Sequence, residues 1–382
     1  MMTQTLADPL VAALVADQFP EMSFDAAIHA EDEMFLFDLP IMKGDRNRTA
    51  IHYLAQGKRI CGNLREITNW YFGGFEGIGK FMDFACGYGR LTRHLVHAMP
   101  AERIWVSDIY ASAVAHQQAT FGVSGIVSTV DPTDYPAAPQ FDCIYVGSLF
   151  SHLPQPSFNT WLAKLHSMLS ENGILIFSVV GMWLLPKHID RPASGCYFSP
   201  FSESRSLDKA EYGTMFVTDE YVRSQVSAAI PGGQYTLHRI PLGLANRQDI
   251  YVIAKGRPVN GDLHFTYGPD GWIEKCRITD EGLYLRGWAA DLNASGSVPR
   301  VVISLDGRPL TEVTPSRDRQ DVAAHFNNMP TGPAGWSAEV KLPGVSPSAI
   351  LMAKVISECG MEHVFSVERV SDLIARTANN PG

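Results

Sequence analysis

The eight residues Asp83-Phe84-Ala85-Cys86-Gly87-Tyr88-Gly89-Arg90 carry the strongest chemical signal in the chain. They follow a short apolar run and lead into a segment whose Leu91, Leu95 and Met99 share one face. Small residues at 85, 87 and 89 let the backbone approach a ligand closely at the carboxyl end of a strand. Asp108 lies 19 residues past Gly89, at the end of the next apolar run. A carboxylate there can accept hydrogen bonds from both hydroxyls of an adenosine ribose. A nicotinamide dinucleotide site would offer the same acid, but it differs at the loop. Read from Gly87, the third glycine of G-x-G-x-x-G is replaced by Thr92, and Asp83 would repel a pyrophosphate. Asp83 suits an ammonium or sulfonium ligand instead. No G-K-[ST] follows, which excludes a P-loop.

Taken in order, D-F-A-C-G-Y-G-R, V-S-D-I-Y, F-D-C-I-Y-V-G-S-L-F-S-H-L and N-G-I-L-I-F resemble the motif set of class I S-adenosylmethionine-dependent methyltransferases. The likeness is to the broad small-molecule group known as type 11, 12 or 25, and it spans roughly residues 50–255. It implies an S-adenosylmethionine cofactor, with S-adenosylhomocysteine as product and no metal. Carried over residue by residue, the loop Asp83, Ala85, Cys86, Gly87, Tyr88 and Gly89 would line the methionine part. Asp108 would hold the ribose and Ile109 would pack on adenine. Asp131 would sit near the adenine amino group, where Asp134 competes for the role and an Asp-Pro turn is the plainer alternative. Gly147 and Ser148 would border the methionine moiety and the substrate entrance. The family's first loop glycine is Ala85 here. Cys86 reads as a small loop residue rather than a nucleophile, since no His or Asn is set beside it.

Methyl transfer needs acceptor, methyl and sulfur in line, and a hydroxyl acceptor needs a proton taken. His152, just past the fourth apolar run, is the candidate base; otherwise Ser151-His152-Leu153 merely opens a loop. A second region, 196–226, falls where insertions in this fold cover the substrate, and a lid insertion is expected over 182–217. Glu203, Arg205 and Tyr212, with Ser204 and Asp208, suit a hydroxyl-rich acceptor, or they decorate a surface loop. Before residue 81, Tyr53, Gly57, Arg59 and the run 63–70 are expected to fold over the cofactor as a helical cap. Arg90 and Arg93 could steer an anionic ligand, or they are solvated helix residues.

These residues need a scaffold of alternating strands and helices. Apolar runs at 80–85, 103–107, 141–147 and 173–180 have the composition of strands buried on both faces of a parallel sheet. Between them, 157–172 has helical spacing: Phe158, Trp161, Leu162, Leu165, Met168 and Leu169 share a face, Ser157 caps the start and Asn172-Gly173 supplies the stop. A helix starts at Thr218, and 235–240 pairs antiparallel with 249–254. The expectation is a doubly wound, mostly parallel seven-stranded α/β sheet. It comprises a cap over 1–80 and a methyltransferase domain over 81–256.

From 258 to 375 the pattern is all-β, with runs at 282–289, 300–305, 335–342, 350–357 and 363–367, as expected of an Ig-like β-sandwich. This segment resembles modules found beside bacterial glycosyltransferases and methyltransferases, which suggests a glycan-type or surface-polysaccharide acceptor. Trp272, Trp288 and Trp336 could stack on sugars, or Trp288 and Trp336 could be core.

Among 382 residues, 31 Lys and Arg face 40 Asp and Glu, for a formal charge of -9. That balance argues against a nucleic-acid partner. Six cysteines without C-x-x-C spacing argue against zinc or redox pairs. The N-terminus has no basic region ahead of its short apolar stretch, and no apolar run reaches the ~18 residues of a membrane span. A cytoplasmic setting is expected. The function expected is methylation, at oxygen more than carbon or nitrogen, of a small-molecule or glycan-type acceptor, with a protein partner on the β-sandwich possible. A carbohydrate- or protein-binding adaptor with a vestigial cofactor fold and a nicotinamide oxidoreductase are the alternatives.

Overall fold

The computed structural model describes residues 8–20, 23–202, 204, 206–256, 263–293 and 297–378. Three helices lead: α1 (Pro9–Gln18), α2 (Glu33–Ile41) and α3 (Arg46–Phe72). The apolar runs then form strands β1 (Phe81–Phe84), β2 (Ile104–Asp108), β3 (Ser124–Val127), β4 (Phe141–Val146) and β5 (Leu169–Gly181). Between them lie α4 (Thr92–Leu95), α5 (Ala111–Phe121) and α6 (Gln155–Ser167). The five strands are parallel in the order β3-β2-β1-β4-β5.

β5 forks. Residues 174–179 pair antiparallel with β9 (Gln248–Lys255), which pairs with β8 (Tyr235–Leu244), completing seven strands. Its last two residues, Val180 and Gly181, pair parallel with β7 (Thr214–Val217), and β7 pairs antiparallel with β6 (Cys196–Ser199). The sheet therefore has nine strands, and the expected lid insertion contributes a two-stranded ribbon to it. The connection to β8 is helix α7 (Asp219–Ala229), capped as expected by the Thr218 side chain, which accepts from the Tyr221 amide.

Two local expectations change. Helix α6 starts at Gln155, ahead of Ser157, and has no side-chain cap. Asn172-Gly173 is not its stop, because β5 already begins at Leu169 and Gly173 lies inside it. A Cβ on Gly173 would fall 2.8 Å from the Phe141 carbonyl oxygen, so this glycine serves close strand pairing. The apolar face of α6 is as expected, with Phe158, Trp161, Leu162 and Leu165 buried against Phe141, Phe150, Phe177 and Tyr251 of the main core.

The chain divides into two compact units. One comprises Glu31–Phe37 and Ile60–Phe265, and holds the nine-stranded sheet. The other comprises Met1–Ala30, Asp38–Arg59 and Thr266–Gly382. Its strands β10 (Asp270–Thr279), β11 (Gly282–Ala290) and β14 (Gly335–Lys341) form one antiparallel sheet. A second antiparallel sheet holds β12 (Arg300–Leu305), β13 (Arg308–Val313), β15 (Ile350–Ile356) and β16 (Glu362–Arg369). Helices α8 (Gln320–His325) and α9 (Val370–Ala378) accompany them, around a core of Leu285, Ile303, Trp336, Leu351 and Val355.

Much of the N-terminal region thus groups with the C-terminal sheets, where a cap of the α/β domain was expected. Arg59 shows why. Its guanidinium is buried and donates to the Asp270 carboxylate at 3.0 Å and to the carbonyls of Gly268 and Pro269, each at 2.9 Å. Lys58 pairs with Glu362, and Lys354 with Asp17. Trp336 is 1% exposed, and the guanidiniums of Arg48 and Arg376 lie over the Trp272 ring. Trp336 is thus a core residue and offers no face for sugar stacking. Trp288 packs on His325 and Phe326. Among the described residues, no helix is long and apolar enough to cross a membrane.

Candidate functional site

The loop after β1 is built from three successive left-handed turns of backbone: Ala85 at φ 59°, Gly87 at 54° and Gly89 at 91°. Only the glycines take this conformation without cost. Neighbouring elements hold the loop in place. The Cys86 amide donates to the Ser107 carbonyl at 3.1 Å, tying it to β2. Gln117, fully buried on α5, donates to the Gly87 carbonyl at 2.7 Å. Arg93 is also buried and donates to the Gly89 carbonyl at 2.9 Å, so it is no solvated helix residue. A Cβ on Gly89 would lie 2.6 Å from the Phe121 ring, whereas one on Gly87 would meet nothing within 4 Å. Gly89 closes the packing and Gly87 opens on the cleft.

Two acids flank the loop. Asp108 ends β2, and its two oxygens accept from the Gly87 amide at 2.8 Å and the Tyr110 amide at 3.0 Å. A carboxylate has about four acceptor sites, so both oxygens keep capacity for ligand hydroxyls. Burial raises its pKa, and those backbone amides oppose the rise. Asp83 is 3% exposed, and Thr92 Oγ1 donates to it at 3.3 Å. Burial pushes its pKa up to about 7, with Asp108 adding to the rise and Thr92 and Arg90 opposing it. It does not reach the cavity wall as expected, but stands buried behind the loop. A cation arriving in front of it would favour its ionised form.

Above the loop is a cavity of about 260 Å³ lined by residues from both sides of the sheet's carboxyl edge. Ala85, Cys86, Gly87, Tyr88, Asp108 and Ile109 line one side. Gly147, Ser148, His152 and Tyr212 line the other. Ser148 stands at φ 63°, and its amide donates to the Ser178 hydroxyl at 2.8 Å. That hydroxyl donates in turn to Gln248 Oε1 at 2.7 Å. His152 Nδ1 lies 2.6 Å from the Gly213 carbonyl oxygen, and its ring stacks on Tyr212 with centroids 4.6 Å apart.

The N-terminal contribution comes from Asp32, Glu33 and Met34. None of Tyr53, Gly57, Arg59 or the run 63–70, the expected cap, lines the cavity. Two tyrosines of the loop side hold this strap. Tyr88 donates to Glu31 at 3.0 Å. Tyr110 donates to Glu33 at 3.0 Å and bonds with Ser206 Oγ at 2.6 Å and Ser204 Oγ at 3.2 Å. A phenol has one donor and two acceptor positions, and this one uses all three.

Asp131 does not reach the cavity. It caps a short turn, accepting from the Thr133 amide at 2.8 Å and hydroxyl at 2.7 Å, and these bonds lower its pKa. Ser128, Thr129 and Val130 stand on the wall in its place. Gly89 lies beneath the loop, while Arg90 faces the cavity. Glu203 and Arg205 fall outside the described residues. Gln117, Tyr110, Glu33 and Gln248 were not singled out by sequence. Tyr110 had the one usable signal, its place two residues after Asp108. Among the described residues, no three His, Cys, Asp or Glu side chains gather as a metal-ligand set.

Residues 81–173 match a family model described as a methyltransferase domain. No curated protein matches the chain by sequence. Among solved structures the chain is similar to the 1,6-didemethyltoxoflavin-N1-methyltransferase of Burkholderia thailandensis, at 17% identity and TM-score 0.37, over 60% of this chain and 92% of that one. It is similar to the plantazolicin methyltransferase BamL, at 11% identity and TM-score 0.38, over 59% and 96%. It is also similar to an S-adenosylmethionine-dependent methyltransferase of Clostridium acetobutylicum, at 12% identity and TM-score 0.39, over 58% and 97%. The segment that matches the methyltransferase domain runs from β1 into β5 and so frames the cleft floor.

Proposed function

We propose that the enzyme methylates a hydroxyl of a small-molecule acceptor, with His152 taking the hydroxyl proton. The observation that carries this reading is the convergence of the loop 85–89, Asp108 and His152 on one cavity. When bound, S-adenosylmethionine supplies an electrophilic methyl group on a cationic sulfur. The residues fit that cofactor. Asp108 keeps acceptor capacity on both oxygens for the ribose, and Ile109 adjoins it for adenine. The open side of Gly87 leaves room for the methionine part, and Asp83 behind the loop offsets positive charge. Ser148, set between Ser178 and Gln248, borders the boundary with the acceptor.

On the acceptor side the carbonyl contact at His152 Nδ1 requires that nitrogen to donate, which leaves the lone pair of the neutral ring on Nε2. A neutral imidazole is a proton acceptor suited to a hydroxyl near neutral pH. Tyr212 and the polar residues around Ser204 and Asp208 suit a polar acceptor. A glycan-type acceptor would be recognised in this cavity through the same polar residues. The two compact units supply working domain boundaries in place of 1–80, 81–256 and 258–375.

The test is calorimetric titration with S-adenosylhomocysteine, followed by an acceptor screen with labelled S-adenosylmethionine. Micromolar binding and label transfer to a hydroxyl compound are expected. Binding with label found on an amine or carbon would refute the hydroxyl, and no binding would refute the cofactor site.

A further inference from the structure

We infer that Gly213 and Tyr212 are positioning residues that fix the neutral His152 ring as its Nδ1–H tautomer. Together they decide which ring nitrogen can receive a proton. The inference extends the reading of His152 as proton acceptor, but the tautomer assignment stands on geometry alone. Nδ1 lies 2.6 Å from the Gly213 carbonyl oxygen. A carbonyl only accepts, so the nitrogen donates, and a neutral imidazole has a single N–H. The other ring nitrogen, Nε2, therefore carries the lone pair.

Three features hold this arrangement. The Gly213 amide donates back to the His152 carbonyl at 3.0 Å, so two residues 61 apart in sequence form a reciprocal backbone and side-chain pair. The Tyr212 ring lies at 14° to the imidazole, with centroids 4.6 Å apart. A ring flip, which would exchange Nδ1 for a carbon, must break both the stack and the bond. The third feature is the absence of a side chain at 213. A Cβ there would fall 2.2 Å from the Ser199 carbonyl oxygen and 2.5 Å from the Phe198 ring, both on β6. Only glycine brings its carbonyl to the histidine while β6 keeps its place beside β7. The loop that joins β6 to β7 thus lines the cavity and acts on the proton-accepting group.

The experiment is a long-range proton–nitrogen correlation spectrum of the full chain with ¹⁵N-labelled histidine, recorded where the ring is neutral. His152 is assigned by the signal lost in His152→Gln. The expected pattern is a protonated Nδ1 and an unprotonated Nε2; an Nε2–H pattern, or an averaged one, overturns the inference. Gly213→Ala is expected to shift His152 to the averaged or Nε2–H pattern, with S-adenosylhomocysteine affinity held within about twofold; an unchanged Nδ1–H pattern in a folded variant overturns the role of Gly213. Should that variant fail to fold, Tyr212→Leu keeps the carbonyl and removes the stack. Exchange broadening of the His152 signals is then expected, and unbroadened signals overturn the role of Tyr212. If the tautomer is as stated but His152→Gln turns over normally, the proton-acceptor reading fails and this inference does not.

Discussion

The two sides of the cleft are assembled in different ways. On the cofactor side, every group that shapes the floor comes from one continuous stretch, from Asp83 through Asp108 to Gln117, and backbone atoms make most of the bonds. On the acceptor side, His152 meets Gly213, 61 residues away. Ser204 meets Glu33 across 171 residues, and Ser148 meets Gln248 across 100. A strand-end loop is positioned by its own neighbours, so its form travels with a short motif. The acceptor side depends on side chains from separate segments. The difference teaches that the loop side is set by local sequence, while the His152 side is set by contacts between distant segments.

The largest separation of the two sides is expected from His152→Ala. Loss of a positioned base typically costs roughly 10²–10⁴ in rate. Turnover of an acceptor found by screening should fall in that range, while calorimetric affinity for S-adenosylhomocysteine stays within about twofold. A matching loss of affinity would erase the division between the sides. Next is Asp108→Ala, which removes the ribose acceptor and the partner of the Gly87 and Tyr110 amides. At about 1 kcal/mol or more per lost bond, S-adenosylhomocysteine affinity should drop by roughly tenfold to a hundredfold in a folded variant. Unchanged affinity would remove the ribose assignment.

A pH effect follows from Asp83, whose pKa of about 7 lies above the ordinary 3.8. The folded, ligand-free protein holds this proton more tightly than the unfolded chain. Stability from this group is therefore greatest below pH 3.8 and falls as pH rises toward 7. Asp83→Asn should flatten that part of the stability–pH curve in urea unfolding. Binding of cationic S-adenosylmethionine should release protons near pH 7, read as a dependence of the calorimetric heat on the buffer's ionisation enthalpy. No dependence would mean that Asp83 does not sense the ligand's charge.

Smaller effects are expected where the two sides are joined. Tyr110→Phe removes the hydroxyl that ties Glu33 to Ser204 and Ser206, and should speed S-adenosylhomocysteine dissociation several-fold by stopped-flow. An unchanged rate would leave the strap as packing only. The smallest effect is at Ala85. Its left-handed backbone costs roughly 1 kcal/mol, partly offset in a glycine variant by the freer unfolded chain. Ala85→Gly should raise the urea midpoint by a few tenths of a kcal/mol in free energy with cofactor affinity kept. A lower midpoint would mean that the methyl group's packing outweighs the strain.

How far the sequence could be read follows the same division. The strands, the loop, Asp108 and Ile109 were legible because apolar runs, small residues and strand-end acids are local patterns. Asp131 stayed open between two readings because an acid before proline satisfies its own turn, and here Thr133 donates to its Oδ1 through both amide and hydroxyl. The N-terminal cap misled because Arg59 matches carbonyls and a carboxylate more than 200 residues away. No periodicity announces such a partner. The strap Glu31–Phe37 has no motif of its own and is recognisable only by the tyrosines that hold it.

By itself the sequence determined the sheet, the small-residue loop after β1 and the acid at the end of β2, since these follow from hydrophobic period, glycine conformation and charge at strand ends. Only the tertiary structure decided that Asp83 stands behind the wall and that N-terminal residues divide between two units. It also decided that the β6–β7 ribbon brings a carbonyl to His152. Those outcomes depend on contacts between segments far apart in the chain, where complementarity of shape and hydrogen bonding makes the choice and the local sequence offers several.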